Sequence, residues 1–565
     1  MSTLGKTLQS AGIGLGSLLS WRARRDAVGA NLLEINLAGP LEEVQLSGLW
    51  QRFLPASLTM RELLFGISLA SEIPSIRALL IRVSDHDLGW GRMDELCEAL
   101  RRFRGAGKQA IAFLEQPENI DTMLAAACDR VVVPPGSLLH LTGLMSEVIY
   151  FKGMLDKLEI KPELYQAGKY KSAVEPFTRE GMSRAHREAV EYLLDGIFEH
   201  WVNSLAQGRG LEPATVKKLI DDGPWSAERA REQGLIDETL YEDQLDDYLE
   251  KWLGITPRRL ELGKFLRLFS PPPSITDPWK KTRALAIISA SGPIHAGESR
   301  YLGAGDATVG ADTLREAISF ARENDQVAAV ILRIDSPGGS AVHSDLIWRE
   351  VERLREQKPV VVSMADVAAS GGYYIAMPAD HLLATPLTIT GSIGVIGGKI
   401  NLKGLYTKVG LKKEHVRRGR HADMESDYGP YSTELKLKLK NEMETIYRTF
   451  VEKAAKGRKR EPRELEQSAQ GRVWTGSQAR DRGLLDELGG LLTAIDRAKE
   501  RAGIPLSRKV PVFVLPRIKK LSLPSLPFSL PLPSGIVRAA GQLSIYEILA
   551  REPSLALMPF KIRIK

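Results

Sequence analysis

Residues 327–340 read VAAVILRIDSPGGS, and residues 360–377 read VVVSMADVAASGGYYIAM. Each opens on an unbroken apolar run rich in β-branched residues, the pattern of a strand buried on both faces. Between them DLIWREVERLREQ (345–357) has helical spacing. Strand, helix and strand in succession predict a βαβ crossover, hence a mainly parallel sheet covered by helices. Gly338 and Gly339 follow the first strand, and Ser370, Gly371 and Gly372 follow the second.

The same rhythm is written earlier in the chain. ALLIRVSDHDLGWGRMDEL around Arg82 corresponds to AVILRIDSPGGSAVHSDL around Arg333 at an offset of 251, which Asp129 and Asp380 keep. WSAERAREQGLIDE from Trp225 corresponds to WTGSQARDRGLLDE from Trp474 at an offset of 249. A drift of two residues over so long a span marks an internal duplication. The expected architecture is α/β, with two tandem homologous domains over 30–262 and 283–510. A lead-in occupies 1–29, a linker containing SPPPSITDPWKK spans 263–282, and a basic Leu/Pro-rich tail spans 511–565.

Differences between the copies locate a site. A serine between a strand and a helix, with small neighbours and nearby amides, has the layout of a nucleophile beside an oxyanion hole. Taken alone, Ser370 reads first as a helix cap in a Gly-rich turn and only second as a nucleophile. The first-half counterpart of Ser370 is Asn119, those of Gly338 and Gly339 are Asp87 and Leu88, and those of Gly371 and Gly372 are Ile120 and Asp121. Conversely Lys171, in AGKYKSAVEPF, corresponds to Ala422. One half has kept the serine and the other the lysine, as a single site shared between the halves requires. A lysine accepts a proton only when neutral, and its unperturbed pKa is about 10.4. As a base near neutrality Lys171 therefore has to be enclosed, in contact with Ser370, and free of a carboxylate partner.

SPGGS, AASGGYY, TGSIG and YKSAVEPF, in two tandem copies of one domain, resemble the long two-domain form of the signal peptide peptidase A (protease IV) family over residues 30–500. The resemblance implies a Clp-protease/crotonase-like fold in each half and a serine peptidase with a Ser/Lys dyad. On it Ser370 is the nucleophile, Lys171 the base, and Ser392 the hydroxyl that orients the lysine. Gly338, Gly339 and the amide of Gly371 are the oxyanion-hole candidates, and Lys169 is the rival base. It also implies no cofactor or metal, remnant signal peptides as substrates, a homo-oligomer (often a tetramer), and work at the bacterial cytoplasmic membrane.

Three other readings use the same features. A Ser/His/Asp triad would draw on His343, His381 or His421. A crotonase-type acyl-CoA enzyme would need neither Ser370 nor Lys171, and a non-catalytic membrane-protein scaffold would need no site at all.

Composition narrows the field further. Two cysteines, Cys97 and Cys128, exclude a disulfide framework and make a structural zinc site improbable. The net charge of +7 sits in the tail, where eleven basic side chains in 501–565 face only Glu547 and Glu552. The body is near neutral, so no nucleic-acid partner is expected; KKEHVRRGR (412–420) and KGRKREPR (456–463) lack interleaved aromatic platforms. The apolar and cationic tail is expected to dock on another subunit or an anionic membrane surface, or to extend freely. No run reaches the roughly 18 apolar residues of a transmembrane helix. The apolar stretch 11–21 precedes its arginine cluster and reads as an amphipathic lead-in, with a poor signal peptide as the other reading.

Overall fold

The computed structural model describes residues 29–43, 46–47, 58–269, 283–300, 307–516, 518–519 and 554–558. All of the lead-in but residue 29 lies outside them. In the first half a six-stranded sheet has the order Arg259–Glu261, Leu32–Gly39, Ala78–His86, Gln109–Leu114, Arg130–Val133, Glu238–Thr239. Every pairing in it is parallel. The second half repeats that order with Val512–Leu515, Ala284–Ser291, Val327–Ser336, Val360–Ala369, His381–Ala384 and Glu487–Leu488, again all parallel. Val360–Ala369 also pairs at its far end with Ile389–Gly391, which pairs antiparallel with Val473–Thr475. The first half carries the equivalent antiparallel pair, Leu138–Leu139 with Trp225–Ser226. Two α/β units of one topology follow from the duplication.

The apolar runs make these strands because helices cover both faces. Val330, Ile331 and Leu332 are buried, as are Leu79, Leu80 and Ile81 in the first copy. At about 25 cal/mol per Å² such residues gain most where neither face meets water. Two boundaries differ from the sequence expectation. The expected linker begins later, because Leu262–Phe269 is a helix that buries Leu262 and Phe265; its apolar spacing lets it pack on the first unit. The second unit runs past residue 510, because Val512–Leu515 pairs with Ala284–Ser291.

The halves are bolted together through buried charge. Arg333, 1% exposed, donates to Glu43 and Glu95 of the first half at 2.8 and 2.6 Å, and to Ser363 at 2.9 Å. Arg92 of the first half meets Asp366 at 2.5 Å.

A third sheet crosses between the halves. Its order is Val309–Gly310, Ile294–His295, Gly338–Ser340, Ser554–Leu557, Val395–Asn401, Lys161–Ala167. Lys161–Ala167 comes from the first half and pairs antiparallel with Val395–Asn401 of the second. Ser554–Leu557 comes from the tail. Two pieces of that tail thus dock on the chain's own second half, Val512–Leu515 and Ser554–Leu557, where composition pointed to another subunit or a membrane. Strand pairing depends on register with residues far away in sequence, which composition does not encode.

Candidate active site

The strand Val360–Ala369 delivers Ser370, and the helix Gly371–Ala376 starts immediately after it. Ser370 sits at φ 56°, ψ −113°, a conformation that costs an L-residue on the order of 1–3 kcal/mol. The turn is held by its amide, which donates to the Gly391 carbonyl at 2.8 Å, and by its carbonyl, which accepts from Tyr374 at 2.8 Å. Gly372 makes it possible: a Cβ there would lie 2.6 Å from the Ser336 carbonyl oxygen. The Ser370 side chain makes no capping hydrogen bond, so the helix-cap reading does not account for it.

Lys171 arrives from the other half. Beyond Lys161–Ala167 the chain turns at Gly168 (φ +109°), where a Cβ would stand 2.7 Å from the Gln470 carbonyl carbon. The turn carries Lys171 into the second unit with no exposed surface. Its Nζ lies 2.7 Å from Ser370 Oγ, 2.9 Å from the Ser392 carbonyl oxygen and 3.0 Å from Ser392 Oγ. A neutral amine has two N–H donors and one lone pair, so two contacts to Ser392 leave the lone pair for the Ser370 hydroxyl. Burial alone holds the Lys171 pKa well below the ordinary lysine value, with no carboxylate opposing it.

The remaining candidates fall around this contact. Ser392 is fully buried at φ 53° and donates its amide to the Arg472 carbonyl at 2.8 Å. A Cβ on Gly338 (φ +100°) would lie 2.6 Å from the Gly371 amide nitrogen, so the absence of a side chain lets these two glycines pack against each other beside Ser370. Gly339 has another reason for lacking a side chain: a Cβ there would lie 2.1 Å from the Ile294 carbonyl oxygen. Lys169 turns toward Tyr170, with Nζ 3.3 Å from its hydroxyl. His343 bonds Ser340 at 2.8 Å, His381 bonds Glu487 at 2.9 Å, and His421 lies 3.1 Å from Lys438. Among the described residues, the side-chain partner of Ser370 Oγ is Lys171.

Two residues outside the motif reading shape the lysine's channel. A Cβ on Gly471 (φ +77°) would lie 2.6 Å from Lys171 Cβ, and one on Gly394 would lie 3.1 Å from Lys171 Cδ. Gly394 closes TGSIG, but Gly471 in SAQGRVW carries no local signal.

A serine on a strained strand-to-helix turn, facing a buried amine across two repeated α/β units, defines a serine-nucleophile hydrolase. Comparison with known proteins narrows this. The model of peptidase family S49 matches residues 102–256 and 352–505, one match in each half. The chloroplastic serine protease SPPA of Arabidopsis thaliana is 35% identical over 476 residues, covering 83% of this chain and 70% of the relative. Protease 4 of Haemophilus influenzae is 30% identical, covering 80% and 75%. A solved membrane-bound, stomatin-specific protease aligns with 42% of this chain and 98% of its own at 16% identity and a TM-score of 0.27. The chain belongs to peptidase family S49 and is a serine peptidase.

Proposed function

We propose that the chain is a serine endopeptidase in which Ser370 is the nucleophile and Lys171 the general base. The observation that carries this is the 2.7 Å contact of Lys171 Nζ with Ser370 Oγ, both fully buried, with burial holding the lysine pKa low. Neutral Lys171 takes the hydroxyl proton as Oγ attacks the scissile carbonyl, a step worth about 10²–10⁴-fold. The ammonium formed is held by the Ser392 hydroxyl and carbonyl. The oxyanion faces the amide of Gly371 with that of Gly338 beside it; one such donor is worth about 10²–10³-fold. Gly338 is the weaker donor of the two, since its amide already reaches Ser336 Oγ at 3.2 Å. Lys171 then returns its proton to the leaving amine. Water, deprotonated by the neutral Lys171 amine, then attacks the acyl group, and Lys171 returns that proton to Ser370 Oγ as the acid leaves.

The substrates we assign are remnant signal peptides and other small or membrane-derived peptides. Among the described residues no helix is long and apolar enough to cross a membrane. By the resemblance to its family, the location we assign is the bacterial cytoplasmic membrane, with peripheral or weakly anchored contact. A head-to-tail homo-oligomer, a tetramer in the family's pattern, is favoured by the internal symmetry. The strand Lys161–Ala167 crosses onto Val395–Asn401 within the chain. The repeat counterparts of these two strands are residues 412–418 and 144–150, which carry the exposed apolar side chains Val416, Met145 and Ile149.

An active-serine phosphonate probe tests the assignment. It is expected to label the wild type and to miss Ser370→Ala, while Lys171→Ala keeps its fold and loses peptide hydrolysis. Hydrolysis surviving both substitutions would move the reading to the acyl-CoA class, and absence of both labelling and hydrolysis in the wild type would leave a scaffold.

A further inference from the structure

Lys171 and Ser392 are both seated on one short run of backbone, Gln470 to Arg472. The Gln470 carbonyl accepts from the Tyr170 amide at 2.7 Å, and the Arg472 carbonyl accepts from the Ser392 amide at 2.8 Å. Between them Gly471 leaves room for Lys171 and donates its amide to the Ile393 carbonyl at 2.7 Å. Gln470 and Gly471 have φ of 57° and 77°, a path that a glutamine does not favour by itself. Contacts from outside the run have to hold it, and the Arg472 side chain makes several. Its guanidinium carbon lies 4.8 Å from the Tyr170 ring centroid, 5.0 Å from that of Tyr192 and 4.7 Å from that of Trp474. All three are within the reach of cation–π attraction. Its Nη1 donates to Glu188 Oε1 at 2.8 Å, and the same oxygen accepts from the Tyr170 hydroxyl at 3.0 Å.

Glu188 and Tyr192 stand one turn apart on the first-half helix Arg184–Arg209, so they share a face. One turn further, Gly196 leaves no room for a Cβ beside Gln478, so this face lies close against the second half. The duplication separates this clasp from what both copies need in order to fold. At the offset of 249 that joins Trp225 to Trp474, Arg472 corresponds to Gly223. The long helices of the two halves begin after Ser183 and Ser432, which keep that offset. Glu188 then corresponds to Leu437 and Tyr192 to Asn441. The arginine stands only in the copy whose turn meets Lys171, and its acceptor only in the copy that supplies the lysine. Ser370 and Lys171 show the same complementarity.

We propose that Arg472 is a positioning residue: held by Glu188 and Tyr170, it locks the lysine turn to the run that seats Ser392, and so keeps Lys171 Nζ between Ser370 and Ser392. Arg472 acts through the lysine, and the inference rests on the Ser370/Lys171 assignment. Loosening the clasp frees the lysine turn from the Gln470 carbonyl and admits water to the amine. Two consequences follow together. The Nζ–Oγ contact lengthens, and the Lys171 pKa rises, because burial is what holds it down. The charged and titratable groups around the turn are Lys169, Glu175, His186, Glu188, Glu466 and Arg472. Burial, and none of these charges, sets the direction of the Lys171 shift.

The experiment compares the full-length wild type with Glu188→Ala and Arg472→Met. Peptide hydrolysis is followed across pH, with urea midpoints for each protein. Both variants are expected to lose about tenfold in kcat while KM stays within about twofold. Both should move the inflection of kcat upward by about half a pH unit or more. Glu188→Ala decides between positioning and direct charge. Removing an acid lowers the pKa of a nearby lysine by charge alone, so an upward move reports the clasp. A downward or absent shift overturns the proposal, as does a kcat within about twofold of wild type in both variants. Glu188 is exposed on its helix, so its replacement is readable even if Arg472→Met fails to fold. Failure of the dyad would show separately, as a Lys171→Met protein that still hydrolyses peptide. The clasp is then read without catalysis, in the rise of stability with pH that Lys171 produces. That rise should begin at a higher pH in both variants, and an unchanged onset overturns the proposal.

Discussion

Gly471→Ala is the substitution that most sharply tests how the lysine is held. The residue has φ +77°, and an added Cβ would stand 2.6 Å from both Lys171 Cβ and its amide nitrogen, and 2.7 Å from its Cα. Carbon atoms rest about 3.5–4.0 Å apart, so Lys171 must move by roughly 1 Å. Its Nζ has contacts of 2.7, 2.9 and 3.0 Å to keep, and none survives such a shift intact. A displacement of about 1 Å at a reacting group costs on the order of 100-fold in rate. The stability cost combines about 1–2 kcal/mol of left-handed strain with about 1–3 kcal/mol of overpacking. Gly503→Ala separates the two effects. Gly503 has φ +64° and nothing within 4 Å of an added Cβ, so it should lose about 1–2 kcal/mol and keep full activity. The assay is kcat and KM on a chromogenic peptide, with urea midpoints for both variants. If Gly471→Ala retained kcat within about threefold, or if Gly503→Ala lost as much, the steric account of the lysine channel would be wrong.

Ser392→Ala removes one of two acceptors for the Lys171 amine, the one at 3.0 Å, and leaves the carbonyl at 2.9 Å. One such hydrogen bond is worth about 1–1.5 kcal/mol, so kcat should fall about tenfold with KM nearly unchanged in steady-state hydrolysis. Arg333→Met strands Glu43 and Glu95, both within 7% exposure, and should cost about 3–5 kcal/mol in a urea titration. The pH dependence follows from the lowered pKa of Lys171. Between its folded and unfolded values the unfolded chain binds the extra proton, so stability rises with pH there. That contribution is complete above the unfolded value and is lost as pH falls through the folded one. Lys171→Met, measured by denaturant titration across pH, should remove this slope and be inactive at every pH. In the wild type, kcat should climb with pH through an inflection below the ordinary lysine range.

The fold, and the pair of residues that meet in the candidate site, were legible because duplication turns one sequence into its own comparison. The offset aligned the strands that make the two parallel sheets. It also turned Ser370 and Lys171 from unremarkable residues into complementary survivors. What stayed hidden depends on contacts through space. The pairing of Ser554–Leu557 with Gly338–Ser340 joins residues more than 200 positions apart, and nothing local in PSLALMP announces it. Gly471 looks like any turn glycine until Lys171 is seen against it. The helix Leu262–Phe269 lies within an expected linker because a proline-rich run beside it dominates the composition.

The first-half residues that align with the candidate site have structural roles of their own. Asn119, at the position that aligns with Ser370, accepts from the Thr142 amide and donates to the Gly143 carbonyl, both at 2.9 Å. Its side chain thereby ties together the loop that in the second half positions Ser392. Asp87, opposite Gly338 in the alignment, receives Arg92 on its carbonyl at 2.9 Å. Arg92 in turn grips Asp366, with its amide at 2.7 Å and its Nε at 2.5 Å. Asp366 belongs to the strand Val360–Ala369, four residues ahead of Ser370. The turn of one copy thus anchors the strand that leads into Ser370, the proposed nucleophile, in the other. Glycine at Asp87 would keep that carbonyl but lose the Oδ1 that accepts from the Leu41 amide at 2.9 Å. The Leu41 carbonyl holds Arg92 at 2.6 Å, so restoring glycines at Asp87 and Leu88 would loosen the serine strand rather than create a second active site.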